Sequence, residues 1–384
     1  MTRQRRAVSV AFLAFGAVSG SWIPRLPALK DHLHISDAQV GYALVLFAVG
    51  AVLGAAVARL VLARGARLWV RAGTVAICLA LLGPGLAGAF VQLLAAALLL
   101  GGCAGFIDVL ENAQAAELER EVGRPLINGF HGFWSLGAII GSVLAGIAAF
   151  ADVAPLPQFA IAAIIAAVAS APFLRDLPDT RSGADRTTTP APGRLWLQAS
   201  VVAVAAIAFS SIMVEGGTAD WSALYLREYS HANPGVAAAG FAAFALAATV
   251  VRFRADLLTA HTNPTTVARF GGLIAALGLA LAIAVPALPV AIIGFALVGM
   301  GTAVLVPLAF SAGANLGASG TSLTVVLAAG YAGSIAGPAL IGSAADHFGL
   351  RAALTILLAA AIVVTALAGN LRVADPATPL PSHR

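Results

Sequence analysis

Long apolar runs, separated by short segments of charge, glycine or proline, make up nearly the whole chain. They fall at about residues 7–28, 36–61, 68–89, 91–116, 127–150 and 156–174, and again at about 197–226, 234–253, 267–286, 288–312, 321–344 and 350–371. A helix rising 1.5 Å per residue needs about 20 apolar residues to cross a hydrocarbon core. The pattern therefore predicts an all-α integral membrane protein with twelve transmembrane helices. No series of ten-residue alternating segments is present, which argues against a membrane β-barrel. Between the two sets lies Arg175–Gly193, polar and proline-rich with no helical apolar period. The expected organisation is a six-helix half at 1–174, a linker at 175–193 and a second six-helix half at 194–384.

Composition agrees with the pattern. Of 384 residues, 60% are hydrophobic and only 10% charged, too little charge for the surface of a soluble domain. The 40 glycines and 19 prolines would break many soluble helices but are frequent in membrane spans. Cys78 and Cys103 lie in apolar runs and read as small core residues, not as a disulfide or metal pair. The basic Met1–Arg6 start precedes an apolar stretch without a small-residue cleavage site, so an uncleaved first helix is expected.

Charge adds orientation. Of the 22 lysines and arginines, Arg25, Lys30, Arg227 and Arg351 fall on one set of alternate connections and the other 18 fall on the opposite set. This positive-inside bias places both termini and the linker in the cytoplasm of a bacterial inner membrane. The arginines form no continuous basic stripe, so nucleic acid is not an expected partner. The lipid bilayer is, and the protein is expected to work as a monomer.

The two halves also echo one another. FGAVSGSWIPRL, with Trp22, precedes Gly41-Tyr42 at the spacing at which EGGTADWSALYL, with Trp221, precedes Gly240-Phe241. Gly137-x-x-x-Gly141 in span 5 recurs as Gly333-x-x-x-Gly337 in span 11. Two related six-helix halves predict a binding site between them near the membrane midplane.

An ionisable group in a span costs about 2.5 to 3.5 kcal/mol on insertion scales, so each one calls for a role. In span 4, Asp108, Glu111 and Asn112 occupy i, i+3 and i+4 on one face. Two carboxylates one turn apart in a low dielectric do not readily both ionise, which suits Asp108 and Glu111 to proton coupling. His131 in span 5 is the expected neighbour of these acids, as relay or solute contact. Glu215 in span 7 is expected near mid-membrane, with Gly216-Gly217 after it able to break the helix. Asp220 is expected nearer the outer surface, in a salt bridge or cap. Trp22, Trp134 and Trp221 offer aromatic faces to a ring-shaped solute. No catalytic constellation, metal cluster or cofactor motif stands out, so neither an enzyme nor a bound cofactor is expected.

The stretch GFIDVLENAQAAELEREVGRPLINGFHGFWSLGAIIG (Gly105 to Gly141), together with EGGTADWSAL in span 7, resembles the fucose permease-related branch of the major facilitator superfamily. The resemblance implies two pseudo-symmetric six-helix halves that rock about a central site, and proton-driven transport of a small polar solute. It places Asp108 on the span 4 acid of the fucose-proton symporters and Asn112 on the asparagine of that motif. Two positions depart: Gly20 stands where those symporters carry a span 1 acid, and Glu111 is an extra acid where many members have methionine. The family's loop pattern between spans 2 and 3 survives only at Gly65 and Arg67, with Leu62 in place of the aspartate. Between spans 8 and 9, Arg252 and Asp256 suggest a related charge clamp.

The expectation is thus a proton-coupled secondary transporter working by alternating access. Asp108 and Glu111 would carry the proton, while Asn112, His131, Glu215, Trp22, Trp221 and Trp134 would meet the solute. The alternative is a proton-antiport efflux pump for an amphipathic drug or metabolite.

Overall fold

The computed structural model describes residues 3–62, 65–123, 126–178, 199–255, 262–316 and 321–371. The predicted runs are all helical: α1 (Arg3–Leu33), α2 (Asp37–Leu62), α3 (Ala66–Leu86), α4 (Phe90–Val122), α5 (Ile127–Phe150), α6 (Pro155–Ser170), α7 (Ala199–Glu228), α8 (Pro234–Arg252), α9 (Pro264–Ala284), α10 (Leu288–Asn315), α11 (Thr321–Phe348) and α12 (Leu350–Asn370). Among the described residues eleven are long and apolar enough to cross a membrane, and α6 is a shorter apolar helix of 16 residues. The end of its predicted run leaves the helix in turns and a 3-10 segment, Leu174–Asp176. No strand occurs among the described residues.

In the first half α1 packs on α5 and α2 on α4; in the second, α7 packs on α11 and α8 on α10. The glycine echo serves this pairing. A Cβ on Gly137 or Gly141 would run into the α1 backbone at Leu13 and Ala17; Gly333 lies in the same way against the Phe209 backbone of α7, and Gly337 against the Met213 side chain. Small residues let helix backbones approach where lipid supplies no hydrophobic drive for helix association. The outward faces carry Leu60, Leu79, Val91, Phe150, Ile164 and Val168, each at least 60% exposed, as a lipid-facing surface requires.

Two helices are interrupted. α1 passes through a 3-10 turn at Ile23–Arg25, which contains Pro24. α10 breaks at Ala303-Val304, between Leu288–Thr302 and Leu305–Asn315. The break expected at Gly216-Gly217 is absent, and α7 runs unbroken from Ala199 to Glu228. The Cβ position of Gly217 is occupied by Leu357 and Ile341 side chains, whereas that of Gly216 meets nothing within 4 Å. Close packing accounts for Gly217 with no backbone distortion, and nothing in the packing requires a glycine at 216.

The halves meet chiefly through α2 on α11 and α5 on α8. On the face remote from most arginines they are also tied by polar bonds. Lys30, the only lysine in the chain, donates to Asp37 Oδ1 (2.6 Å) of its own half and to Glu228 Oε1 (2.5 Å) of the other. Arg227 pairs with Asp31 at 3.2 Å. Asp346 of α11 accepts from Ser36 Oγ (2.7 Å) and from the Ala38 N–H (3.0 Å) at the start of α2. Arg25, expected as a loop charge on this face, is only 3% exposed and donates to the carbonyls of Val153 (2.6 Å) and Ala145 (3.5 Å) around the end of α5. It ties the α5–α6 connection, through the Val153 carbonyl, back to the body of α5 at Ala145.

On the arginine-rich face, Arg67 Nε donates to the Leu177 carbonyl (2.7 Å), Arg71 to those of Leu174 (2.9 Å) and Arg175 (3.0 Å), and Gln114 to that of Pro178 (2.9 Å). Arg67 of the eroded loop pattern, with Arg71 one turn on, thus holds the segment after α6 to the first half. The remainder of the linker lies outside the described residues, as does Asp256. Glu119 accepts from the N–H groups of Leu126 (2.6 Å) and Ile127 (2.9 Å), capping the start of α5 with a carboxylate.

Candidate functional site

A cavity of about 740 Å³ lies between the halves. Phe15, Asp108, His131, Trp134 and Ser135 line it from the first half, and Glu215, Arg252, Ala303, Val304, Val306, Pro307, Leu308 and Ser311 from the second. Ala255 and Pro264 also line it; they flank the connection between α8 and α9, so the cavity extends toward the arginine-rich face. None of the residues of the ion pairs around Lys30, which join the halves on the opposite face, lines the cavity. A second cavity of about 320 Å³ lies among α2, α4, α7 and α11, and Asp108 is the residue common to both linings.

On the first-half wall two lining residues, Asp108 and His131, are joined through Asn112, which was expected to meet the solute but does not itself line the cavity. Asn112 Nδ2 donates to Asp108 Oδ1 (3.1 Å) and to the Asp108 carbonyl (2.9 Å). This orients the amide, because the reverse arrangement would set its oxygen against a carboxylate. Asn112 Oδ1 therefore faces His131 Nε2 at 3.1 Å, and that ring nitrogen is the donor. Nδ1 of the neutral ring is left with its lone pair, the position at which His131 can take a proton. Phe12 holds the ring edge-on at 5.3 Å between centroids. Helix periodicity places Asp108 and Asn112 one turn apart, and the short α4–α5 connection brings His131 beside them.

The second-half wall is an ion pair between Arg252 and Glu215. Arg252 Nε also donates to the Ala303 carbonyl (3.4 Å) at the break in α10. Pro307 has no N–H, so it cannot supply the helical bond to that carbonyl four residues earlier. The arginine supplies a donor in its place. One proline thus frees the acceptor that steadies the guanidinium at the cavity wall.

Several expectations are corrected. Glu111 does not share the cavity with Asp108. It is wholly buried inside the first half, and among the described residues neither carboxylate oxygen has a hydrogen-bond partner. Trp22 is 2% exposed and stacks on Phe47 (5.5 Å, 29°), while Trp221 is fully buried; both fill helix interfaces and line neither cavity. Trp134 does line the main cavity, edge-on to Phe15 at 6.2 Å. Asp220 makes no ion pair or cap among the described residues and lines the second cavity. Gly20 faces the Ala138 backbone, where any Cβ would collide, so a span 1 acid has no room here.

The residue that sequence reading missed at this site is Arg252, which was assigned to a loop. The available signal was Glu215 itself, a mid-membrane acid whose own helix carries a cation only at its far end, Arg227. Among the described residues no group of three metal-ligating side chains is gathered.

Comparison with known proteins identifies the family and the fold. A family model described as Major Facilitator Superfamily matches residues 8–317. An uncharacterised transporter, y4wD, of Sinorhizobium fredii is 32% identical over 370 residues, covering 96% of this chain and 98% of its own. An uncharacterised MFS-type transporter of Yersinia pestis is 30% identical over 359 residues, 91% of each chain. Among solved structures, the nucleoside transporter NupG superposes with a TM-score of 0.74 at 13% identity, over 97% of this chain and 99% of its own, a likeness of fold alone.

Proposed function

The chain belongs to the Major Facilitator Superfamily and is a membrane transporter, and on that premise we propose that it is a secondary active, proton-coupled carrier of a small polar solute. The arginine-rich face is cytoplasmic in this reading. Both termini then lie in the cytoplasm of a bacterial cell, the membrane is the inner one, and the cavity opens inward.

One observation carries the proposal: Asp108, tied through Asn112 to His131, faces the Glu215–Arg252 pair across a cavity between two halves. The second-half wall is internally neutralised, whereas Asp108 has an amide as its donor and, among the described residues, no paired cation. Enclosing an ionised carboxylate in a closed, dry site is costly unless it is paired. A proton on Asp108, or a solute that donates to it, removes that cost and lets the halves reorient. His131 Nδ1 is the second position for a proton, next to the same network. The solute meets Trp134 and Phe15 on one side and Glu215, Arg252 and Ser311 on the other.

The test is a solute screen in proteoliposomes under an imposed pH gradient, with Asp108→Asn beside the wild type. The variant should lose uphill accumulation and keep solute exchange. Undiminished pH-driven accumulation in Asp108→Asn would sink the assignment.

A second reading, proton-antiport efflux of an amphipathic compound, is favoured by the apolar surface that Val304, Val306, Pro307 and Leu308 present to the cavity. Deletion that lowers resistance to such compounds, without a growth defect on any carbon source, would select it.

A further inference from the structure

The polar bonds on the face opposite the arginines differ in kind. Lys30–Glu228 and Arg227–Asp31 join two side chains across the halves. Asp346 instead joins a side chain to a helix end. Its carboxylate, from α11 of the second half, accepts from Ser36 Oγ and the Ala38 N–H, at the N-terminus of α2 in the first half. The first N–H groups of a helix have no intrahelical acceptor, and the partial positive charge there favours an anion.

α2 nevertheless carries a cap of its own. Ser36 Oγ accepts from the Gln39 N–H (3.3 Å), and Gln39 Oε1 accepts from the Ser36 N–H (2.9 Å). This is a reciprocal capping box. The box satisfies the Ser36 and Gln39 N–H groups within the first half, and Asp346 adds an acceptor for the Ala38 N–H, which the box does not reach. The Asp346 bonds exist only while α2 and α11 touch at this end. The contact is close because Gly41 sits against Pro338 and Gly342, with no side chain between the backbones.

We infer that Asp346 is a state-specific cap: a carboxylate of one half that holds the N-terminus of α2 in the other, and latches this face shut while the cavity opens to the arginine-rich face. Lys30 is the companion element of the latch, because it binds Asp37 beside that same N-terminus and reaches across to Glu228. Opening this face breaks the Asp346 and Lys30–Glu228 bonds together and leaves α2 intact on its Ser36–Gln39 box. The inference rests on alternating access as proposed above, but its test needs neither a solute nor a proton gradient.

The test is a spin-label distance measurement across this face in reconstituted full-length protein, with labels at His32→Cys and Phe348→Cys. Both residues are exposed, and the native thiols are removed as Cys78→Ala and Cys103→Ala. Asp346→Ala should raise the long-distance population by roughly fivefold or more, the size expected for losing a charge-assisted hydrogen bond. Lys30→Met should move it in the same direction. Gln39→Ala, which strips the intrinsic cap, should lower the melting temperature and leave the distances unchanged.

Unchanged distances in both Asp346→Ala and Lys30→Met would overturn the inference, and so would Gln39→Ala shifting the distances as far as Asp346→Ala does. Failure of coupled transport with the distance response intact would count against the transport reading and leave the latch standing.

Discussion

Arg252, the last residue of α8, reaches Glu215 of α7 inside the central cavity and is steadied by the Ala303 carbonyl. The side chains are 34% and 26% exposed, between the surface and interior limits for ion pairs. Removing one partner of a partly enclosed pair strands the other, whereas removing both does not. Arg252→Met should cost about 1–3 kcal/mol of stability. Arg252→Met with Glu215→Gln should recover part of that loss. Melting temperatures in detergent for the two singles and the double provide the check; strict additivity would mean that the pair contributes nothing.

Asn112 carries no charge, yet it connects Asp108 to His131. Asn112→Leu removes the donor to the carboxylate and the acceptor for the imidazole in one step. The expected outcome is a fall of about tenfold in proton-driven uptake, equivalent to about 1.4 kcal/mol. Stability should change little, since Asn112 is only partly buried. Initial uptake rates under a fixed pH gradient, beside melting curves, separate the two effects.

Glycines of similar appearance should behave in opposite ways. A Cβ on Gly101 would strike the Phe47 carbonyl of α2, and backbone cannot yield as a flexible side chain does. Gly101→Ala should destabilise the protein by several kcal/mol, on the order of other overpacked sites. Gly216 has open space and lies within an unbroken helix, so Gly216→Ala should be neutral or stabilising by up to about 1 kcal/mol. Expression yield and melting temperature of the two variants report this contrast directly.

Arg25 is a structural cation. Arg25→Leu keeps the bulk and leaves the Val153 and Ala145 carbonyls without their donor, at an expected cost of about 1–3 kcal/mol. Arg25→Lys should recover only part, because one ammonium cannot reproduce the fork of the guanidinium. Thermal unfolding of the two variants tests the order wild type, lysine, leucine.

What the chain's own pattern determined is whatever depends on neighbours within a turn or on length against a bilayer. The twelve apolar runs, the glycine echo between halves and the Asp108–Asn112 pair, four residues apart, were all legible for that reason. The tertiary structure decided which faces look inward. Trp22 and Trp221 matched in spacing yet turned into helix interfaces, and Glu111 pointed into its own half while Asp108 met the cavity. Nothing in the pattern distinguishes those faces, because lipid is as apolar as a packed helix neighbour and every side of such a helix reads alike. The charged contacts that shape the site and shut one face join residues far apart in sequence, Arg252 to Glu215 across 37 positions and Lys30 to Glu228 across 198. They form only when two six-helix bodies dock, and docking is set by the summed packing of many small surfaces that no local stretch of sequence contains.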